Sequence, residues 1–430
     1  MRQENELAPT EGEPAPTDTD AALRARRTLT ACLWVLAYQG FTTTINGVGA
    51  PWIATSFELD QSGIAALFAR ISLSAIGSLL LSRLADRVGR RRVVLGCLTA
   101  TPLCALGAAL STRLTLFALW EILLFAFIGA TMAGAIVMLA EELPIAQRAK
   151  GQGYGGIAMG LGSGVCVIVM PLLVDAGWSW RWLLVIAAAG LLGVPFVART
   201  LPESQRWQRA AASGATQRVG FSAVLGVVHR RRTLPMLLCV FLGTLSGAAA
   251  MSWTYFHAVS VVGLSADAAS MMVIIAGGIG MIGFPLGAWT CERLGRVPTV
   301  VGSSGLVALG TLWFYWGPPA WVTWPAWWLG AAYCGFSIGV NAATVGGNSA
   351  ATELFPTALR GTMIGWFALI NALATVSAQG AIALLAAPLG GLSIVVGYLG
   401  VLAIPNAILF GLFIDETRGL SLEAAAREHA

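Results

Sequence analysis

Residues 82–91 read SRLADRVGRR, and residues 292–296 read ERLGR. Both stretches contain the same order of residues: an acid, an arginine, one apolar residue, a glycine and another arginine. The two acids, Asp86 and Glu292, lie 206 residues apart. A charged pattern that interrupts apolar sequence twice is a sign of an internal repeat, and an internal repeat constrains the whole fold.

Two further patterns repeat at nearly the same distance. Glu-x-x-Pro-x-x-x-Arg occurs at residues 141–148 and 353–360, which begin 212 residues apart. Residues 202–206 read PESQR and residues 415–419 read DETRG, and their glutamates lie 213 residues apart. One match alone is weak evidence. Three matches in the same order indicate a duplicated unit.

The composition places this duplicated unit in a membrane. The 430 residues are 57% hydrophobic and only 11% charged, whereas soluble domains carry about a quarter charged residues. Apolar runs of the roughly 20 residues that cross a bilayer recur from residue 28 to residue 414. We therefore predict an all-α membrane protein with twelve transmembrane helices in two pseudo-symmetric six-helix bundles.

The predicted spans, numbered 1 to 12 in chain order, divide the chain into five parts. These are a cytoplasmic tail at 1–27, a six-helix bundle at 28–200, a cytoplasmic linker at 201–232, a second bundle at 233–414 and a cytoplasmic tail at 415–430. The first tail is acidic and poor in large apolar residues, so we predict it to be disordered. The spans are predicted at 28–50, 63–82, 93–111, 114–139, 153–174, 182–200, 233–257, 268–290, 298–316, 323–348, 360–385 and 391–413.

The basic residues determine the predicted orientation. Loops on the cytoplasmic side of a membrane carry the excess of Lys and Arg. With the N-terminus inside, 23 of the 26 basic residues fall on the cytoplasmic side, and the exceptions are Arg70, Arg113 and Arg181. We therefore predict a multi-pass protein of the cytoplasmic (inner) membrane with both termini in the cytoplasm.

Sequence features of several other classes of function are missing. The seven cysteines are odd in number and form no close CxxC pair, so they indicate buried apolar residues and not disulfides or a metal site. The phosphate-binding loop of ATP-driven pumps is absent from the sequence. The basic residues lie in loops and not on one soluble face, which argues against a nucleic-acid partner. We expect no enzyme activity, no cofactor and no metal.

The repeated loops resemble those of a known family. The loop after span 2 resembles the signature loop of the major facilitator superfamily. Glu-x-x-Pro-x-x-x-Arg, Pro-Glu-Ser-x-Arg and Glu-Thr-Arg-Gly resemble motifs of its sugar-porter and aromatic-acid:proton symporter branches. The resemblance covers nearly the whole chain beyond residue 27. It implies a secondary transporter that works by alternating access.

The resemblance also implies that the charged loops form a cytoplasmic latch, which holds the two bundles together when the transporter faces outward. Anchoring by positive charge alone would explain the arginines, but it would not explain the repeated acids, because Asp and Glu contribute little to orientation. The predicted latch residues are Asp86, Arg87, Gly89, Arg90, Arg91, Glu141, Arg148, Glu203, Glu292, Arg293, Glu353, Arg360 and Glu416.

Two charged residues lie deep within predicted spans. Arg70 in span 2 and Glu121 in span 4 are each about seven residues from the outer end, or roughly 10 Å deep. In one reading they form a permanent ion pair within the first bundle. In the other, Arg70 binds an anionic substrate and Glu121 takes up a proton, since intramembrane ionisable residues are usually paired or functional.

One feature of the sequence argues against proton coupling. The aromatic-acid symporters resembled here carry an aspartate in span 1, where this sequence has Thr42 after Gly40 and Phe41. Either Glu121 replaces that aspartate, or the protein is a uniporter or uses another ion.

Uncharged polar residues complete the predicted substrate site. The resemblance implies that spans 1, 4, 7 and 10 surround a cavity at the midplane between the halves. Any one of these polar side chains can instead hydrogen-bond a neighbouring helix. The candidate substrate-binding residues are Arg70, Glu121, Tyr38, Gln39, Ser246, Trp253, Tyr333 and Asn341.

The predicted function is import of a small organic solute, an organic anion or a sugar-like metabolite, by a monomeric transporter. The predicted partners are this solute, the lipid bilayer and, if transport is coupled to them, protons. The alternative function is efflux of amphipathic, drug-like compounds. Drug:proton antiporters have a Gly-Pro element in span 5, whereas Gly164 is followed here by Val165, and this weighs against export.

Overall fold

A computed structural model of the protein describes residues 18–205, 207–208, 227–317, 327–355 and 357–419. Every regular element within these residues is a helix. A helix satisfies its backbone N–H and C=O groups within one segment, which is what a bilayer interior requires of a spanning chain. The all-α prediction is therefore confirmed.

The first half contains spans 1 to 6. Span 2 is interrupted at Leu73, and span 6 contains a 3₁₀ segment at Ala189–Gly193. The spans are Asp18–Ser56, Gln61–Ser72 with Ser74–Val88, Arg90–Leu110, Leu114–Glu142, Ile145–Asp175, and Arg181–Ala188 with Val194–Thr200.

The second half contains spans 7 to 12. Span 7 continues beyond Trp253 as a short helix, Thr254–Phe256, and a π-helical turn, His257–Val261. The spans are Val227–Ser252 with these two segments, Ala266–Gly280 with Gly283–Arg293, Arg296–Trp316, Trp328–Glu353, Thr357–Leu385, and Leu392–Val401 with Ala403–Phe413.

The helix interruptions repeat between the halves. Leu73 in span 2 corresponds to Met281 in span 8, and the 3₁₀ segment of span 6 corresponds to the break at Leu402 in span 12. Pro195 and Pro405 follow the second pair of interruptions. Proline lacks the N–H that would complete the preceding turn of an α-helix. The duplication therefore extends from the loops into the backbone of the spans.

Ten of the described segments are long and apolar enough to cross a membrane, and they are spans 2 to 9, 11 and 12. Span 1 has 39 residues and span 10 has 26, which exceeds the roughly 20 that a crossing needs. Spans 1 and 10 are less apolar because they contain several Thr and Asn residues. The protein has the twelve-helix, two-bundle architecture that was predicted.

Residues 18–27 belong to the helix of span 1, so the prediction of a disordered tail is wrong for them. The Arg24 Nε atom lies 2.7 Å from a carboxylate oxygen of Glu142 at the end of span 4, and Ala25 is buried. These contacts add tertiary stabilisation that the composition of the tail does not reveal. Residues 1–17 and much of the predicted linker lie outside the described residues, and residues 227–232 extend span 7.

The two halves share one core on one side of the molecule and have separate cores on the other. We call the side where the described chain begins and ends the inner face, and the opposite side the outer face. In the shared core the rings of Phe68 in span 2 and Trp253 in span 7 lie 5.2 Å apart. Near the outer face, Gln61 Oε1 accepts a hydrogen bond from the Leu392 N–H at 2.7 Å. Toward the inner face each half packs its own cluster, so the molecule is closed on its outer side.

Candidate functional site

Glu121 in span 4 is a fully buried carboxyl group whose side-chain partner is an amide and not a base. Asn46 in span 1 donates a hydrogen bond from Nδ2 to Glu121 Oε2 at 2.7 Å. The exposed fraction is 0% for Glu121 and 7% for Asn46. Glu121 Oε1 and Asn46 Oδ1 have no hydrogen-bond partner among the described residues. An intramembrane carboxyl without a countercharge marks a functional candidate.

Arg70 does not pair with Glu121, so the reading of a permanent ion pair is wrong. The Arg70 side chain is exposed and points away from the face of span 2 that buries Ile64, Phe68 and Ile71. Among the described residues it has no ion pair or hydrogen bond. The sequence gives the depth of a residue along its helix, but it does not give the rotation of that helix about its axis.

The remaining span-1 candidates differ in how well their polar atoms are satisfied. Tyr38 donates its hydroxyl hydrogen to the Ala187 carbonyl of span 6 at 2.9 Å and stacks on Trp34, so it holds the first half together. Gln39 is fully buried, and neither amide atom has a partner in the described part of the chain. Gln39 and Asn46 lie two helical turns apart on one side of span 1. Buried polar groups without protein partners indicate space for water or a ligand.

Trp253 in span 7 lies where the two halves meet. It is fully buried, and its Nε1 donates a hydrogen bond to Gln379 Oε1 of span 11 at 3.0 Å. Ser246 in the same span donates to the Gly243 carbonyl of its own helix at 3.1 Å. Trp253 therefore stays a predicted site residue at the contact between the halves, whereas Ser246 is satisfied within its own helix. Gln379 was not among the site residues predicted from the sequence, although an amide within an apolar span was a visible signal.

The two span-10 candidates pack against neighbouring structure. Asn341 donates from Nδ2 to the Gly280 carbonyl at 2.9 Å. Gly280 ends the first helix of span 8, and the Phe284 N–H that would reach its carbonyl in a continuous helix bonds to Met281 instead. Asn341 therefore satisfies a carbonyl that the helix break leaves free. Tyr333 is buried against two phenylalanine rings.

Polar side chains of spans 7, 10 and 11 that are exposed or half-buried form a set that was not predicted from the sequence. Thr244 of span 7 donates a hydrogen bond to Asn371 Oδ1 of span 11. Thr344 and Asn348, one turn apart on span 10, are both exposed. Polar groups at membrane depth face protein or a water-filled cavity. We interpret these residues as facing an aqueous space between the halves.

A charged cluster at the inner face of the first half contains five of the predicted latch residues, and one of these is a glycine. Arg90 forms an ion pair with Glu141. The Arg91 N–H donates to Glu203 Oε1 at 3.0 Å, so this carboxylate caps the positive N-terminal end of the span-3 helix. Gly89 precedes that helix with φ of 117°, and a Cβ atom there would lie 2.7 Å from the Glu203 carboxylate. Glycine is the residue that fits this conformation and space.

The second half contains an equivalent cluster. The carboxylate of Glu416 accepts the backbone N–H groups of Arg296 and Val297, both at 3.0 Å. Gly295 has φ of 115° and lies against the same carboxylate. The Arg296 guanidinium lies 2.7 Å from Glu353. Arg296 thus takes the place of Arg90. It was not among the predicted latch residues, although it was part of the repeated pattern.

Each cluster joins spans of one half. The cluster in the first half joins spans 3, 4 and 6, and the cluster in the second half joins spans 9, 10 and 12. The clusters therefore stabilise each bundle. The predicted contact between bundles in an outward-facing state stays a prediction. Arg87, Glu292 and Arg293 are exposed at the inner face. The side chains of three other predicted latch residues lie outside the described residues: Asp86, Arg148 and Arg360.

Comparison with known families agrees with the duplicated fold and its loops. The sequence model of the Major Facilitator Superfamily matches residues 32–379. The chain belongs to the major facilitator superfamily. It is therefore a multi-pass membrane transporter of small solutes and not an enzyme, and it resembles the metabolite and sugar-porter branches.

Relatives within the superfamily include transporters of aromatic acids. The chain is 22% identical to the gentisate transporter of Corynebacterium glutamicum, over 76% of this chain and 72% of that protein. It is 25% identical to the 3-(3-hydroxy-phenyl)propionate transporter of Escherichia coli, over 55% of this chain and 58% of that protein. A D-xylose–proton symporter of known structure has the same fold, with a TM-score of 0.69, 20% identity, and coverage of 93% of this chain and 99% of that one.

The candidate site of this facilitator is asymmetric. In the first half it contains a buried carboxyl and unpartnered amides, on Glu121, Asn46 and Gln39. In the second half it contains neutral groups, with Trp253 and Gln379 at the meeting of the halves. The described interior of the second half has no counterpart of Glu121, since Asp and Glu there lie at helix ends or in loops.

Proposed function

We propose that this facilitator imports a small organic anion of the aromatic carboxylate class together with a proton. The observation that carries the proposal is the fully buried Glu121, bonded to the Asn46 amide and to no base. Charge in a membrane interior is costly. Protonation of Glu121 removes its charge, and therefore that cost, while the site is closed. Release of this proton when the site opens couples the movement of the proton to the movement of the solute.

The substrate class rests on two supports. Two of the relatives reported above transport hydroxylated aromatic acids. Arg70 is exposed within span 2 and has no ion pair among the described residues, so its guanidinium is available to a carboxylate, which it can bind through two parallel hydrogen bonds.

The protein acts as a monomer in the cytoplasmic membrane with its inner face toward the cytoplasm. The arginines at that face, including Arg90 and Arg296, support this orientation because positive loops stay inside. A reporter fused after residue 430 that is active only in the cytoplasm would be active, and activity of a reporter that requires export would contradict the orientation.

Uptake by proteoliposomes tests the proposal directly. The purified chain is reconstituted and offered labelled gentisate, 3-(3-hydroxy-phenyl)propionate or D-xylose, with and without a pH gradient that is acidic outside. We expect one of the two aromatic acids to accumulate above its external concentration only when the gradient is present. Accumulation that ignores the gradient would remove proton coupling, and extrusion of amphipathic compounds without acid uptake would favour efflux.

Glu121→Gln separates coupling from binding. This variant keeps a hydrogen-bonding group of the same size but cannot release a proton. We expect it to exchange labelled for unlabelled acid across the membrane and to lose accumulation driven by the gradient. Glu58→Gln is the matched control, because Glu58 is exposed in the loop at the outer face. Full gradient-driven uptake by Glu121→Gln would show that another group carries the proton.

A further inference from the structure

A cavity lies at the inner face of the first half, away from the candidate transport site. Its volume is about 620 Å³, and it lies between the beginning of span 1, the beginning of span 3 and the end of span 6. Four arginines line it, and Glu203 is the one acid among its described lining residues. The arginines are Arg24, Arg27, Arg91 and Arg199.

Two of these guanidinium groups are already engaged. Arg24 pairs with Glu142, and Arg91 donates to the carbonyls of Leu201 and Ala198, both at 2.7 Å. Arg27 and Arg199 are exposed, and neither has an ion pair or side-chain hydrogen bond within the described residues. The cavity therefore presents two positive groups that are available to a ligand.

The acid in the lining does not neutralise them. Glu203 Oε1 accepts the backbone N–H groups of Arg91 and Ser204 at 3.0 and 3.1 Å. Its carboxylate faces the N-terminal end of the span-3 helix, where the helix dipole stabilises it. The electrostatic character of the cavity is thus set by the arginines, and it suits a dianionic or monoanionic phosphate.

The cavity adjoins the surface that faces lipid. Leu192 and Phe196 lie seven and three residues before Arg199 on span 6, on the same side of the helix. They are 83% and 42% exposed within a segment that is apolar enough to cross the membrane. A molecule with a phosphate in the cavity would find an apolar surface directly beside it, deeper in the bilayer.

The fold itself does not require these arginines. The duplication places Leu412 at the position of Arg199, 213 residues later, and Val297 at the position of Arg91, 206 residues later. Leu412 is 72% exposed. At these two positions the second half builds the equivalent helices with apolar residues, so the fold does not require Arg91 and Arg199.

We propose that this cavity binds the phosphate of an anionic phospholipid, with Arg27 and Arg199 as the principal ligands and the acyl chains along Phe196 and Leu192. Basic pockets between membrane helices on the cytoplasmic side are suited to anionic headgroups. An arginine offers a planar pair of N–H donors to phosphate oxygens. The bound lipid links span 1 to span 6 and stabilises the first half.

Thermal unfolding of the purified full chain in detergent tests the proposal. Phosphatidylglycerol, phosphatidylcholine with the same acyl chains, and inorganic phosphate are titrated separately. We expect phosphatidylglycerol to raise the melting temperature saturably, and the other two to have little effect. In Arg27→Gln/Arg199→Gln the concentration of phosphatidylglycerol for half-maximal effect should rise by about tenfold or more, because two charge-assisted hydrogen-bonding groups are lost.

Arg26→Gln/Arg92→Gln is the matched control. It removes the same charge from exposed arginines of spans 1 and 3 that do not line the cavity, so it should respond as the natural sequence does. An equal loss of response in this control would mean that surface charge alone attracts the lipid and would overturn the site. A full response to inorganic phosphate would overturn the assignment to a lipid.

Discussion

Asn46 and Glu121 depend on each other at the scale of single residues. Asn46→Leu removes the hydrogen bond to a buried carboxyl, and a buried polar group that loses its partner costs about 1–3 kcal/mol or more. We expect a lower melting temperature for the purified variant. Asn46→Leu/Glu121→Leu should be more stable than Asn46→Leu alone, because it removes the unpartnered carboxyl as well. A double variant less stable than the single one would contradict the coupling.

Arg70 provides a second prediction at this scale. Arg70→Ala should abolish uptake of the aromatic acid while the protein remains folded, because it removes the positive charge proposed for the substrate carboxylate. Arg113→Ala is the control, since Arg113 is an exposed arginine at the outer end of span 4. Uptake assays of both variants at matched expression give the comparison. Normal uptake by Arg70→Ala would remove this residue from the site.

The depth of the candidate site residues in the membrane could be predicted from the sequence, but the direction in which their side chains point could not. Glu121 stood out because it is an acid within an apolar run, and the structure buries it completely. Asn46 was not among the predicted site residues, and many amides in membrane helices only bond to a neighbouring helix. Asn341 is such a case, and only its contact with the Gly280 carbonyl reveals it. Helix rotation, which no local pattern encodes, decides between these outcomes.

The glycine that begins span 3 yields a prediction at the scale of an element. Gly89→Ala places a Cβ against the Glu203 carboxylate at a φ of 117°. Such backbone strain costs about 1–3 kcal/mol, so the melting temperature should fall. Gly96→Ala, in the middle of the same span with open space around it, should leave the melting temperature unchanged or raise it, since alanine favours a helix by up to about 1 kcal/mol. Equal effects of the two substitutions would contradict the strain.

The elements at the inner face were the most predictable part of the structure. The repeated Gly-Arg and Glu patterns placed Glu203 and Glu416 at equivalent loops, and both carboxylates cap equivalent helices. The helix extension before residue 28 was not predictable from composition, because it depends on the distant Glu142. The breaks in spans 2 and 8 were likewise not predicted: no proline closely follows Leu73, and the break at Met281 precedes Pro285, which lacks the N–H that would bond to the Met281 carbonyl.

At the scale of the whole molecule, the twelve-helix plan was predictable because hydropathy and an internal repeat act over long stretches of sequence. The closed side was not predictable, because closure depends on which faces of the two halves touch. In the structure those contacts include the ring pair Phe68–Trp253 and the hydrogen bond from Leu392 to Gln61. A transporter that alternates between states must break these contacts when its outer side opens.

Gln61 therefore offers a test of the conformational equilibrium. Gln61→Ala removes one hydrogen bond that exists only while the outer side is closed. A hydrogen bond contributes about 1 kcal/mol, which corresponds to about a fivefold change in the ratio of outward-open to outward-closed molecules. The reporter is Phe68→Cys, introduced after the seven native cysteines have been replaced, because position 68 is buried between the halves on the outer side. Labelling by a membrane-impermeant maleimide added outside should become about fivefold faster with Gln61→Ala, and should not change with Ser62→Ala at the neighbouring position. Unchanged labelling in both would mean that the hydrogen bond to Leu392 does not hold the outer side closed.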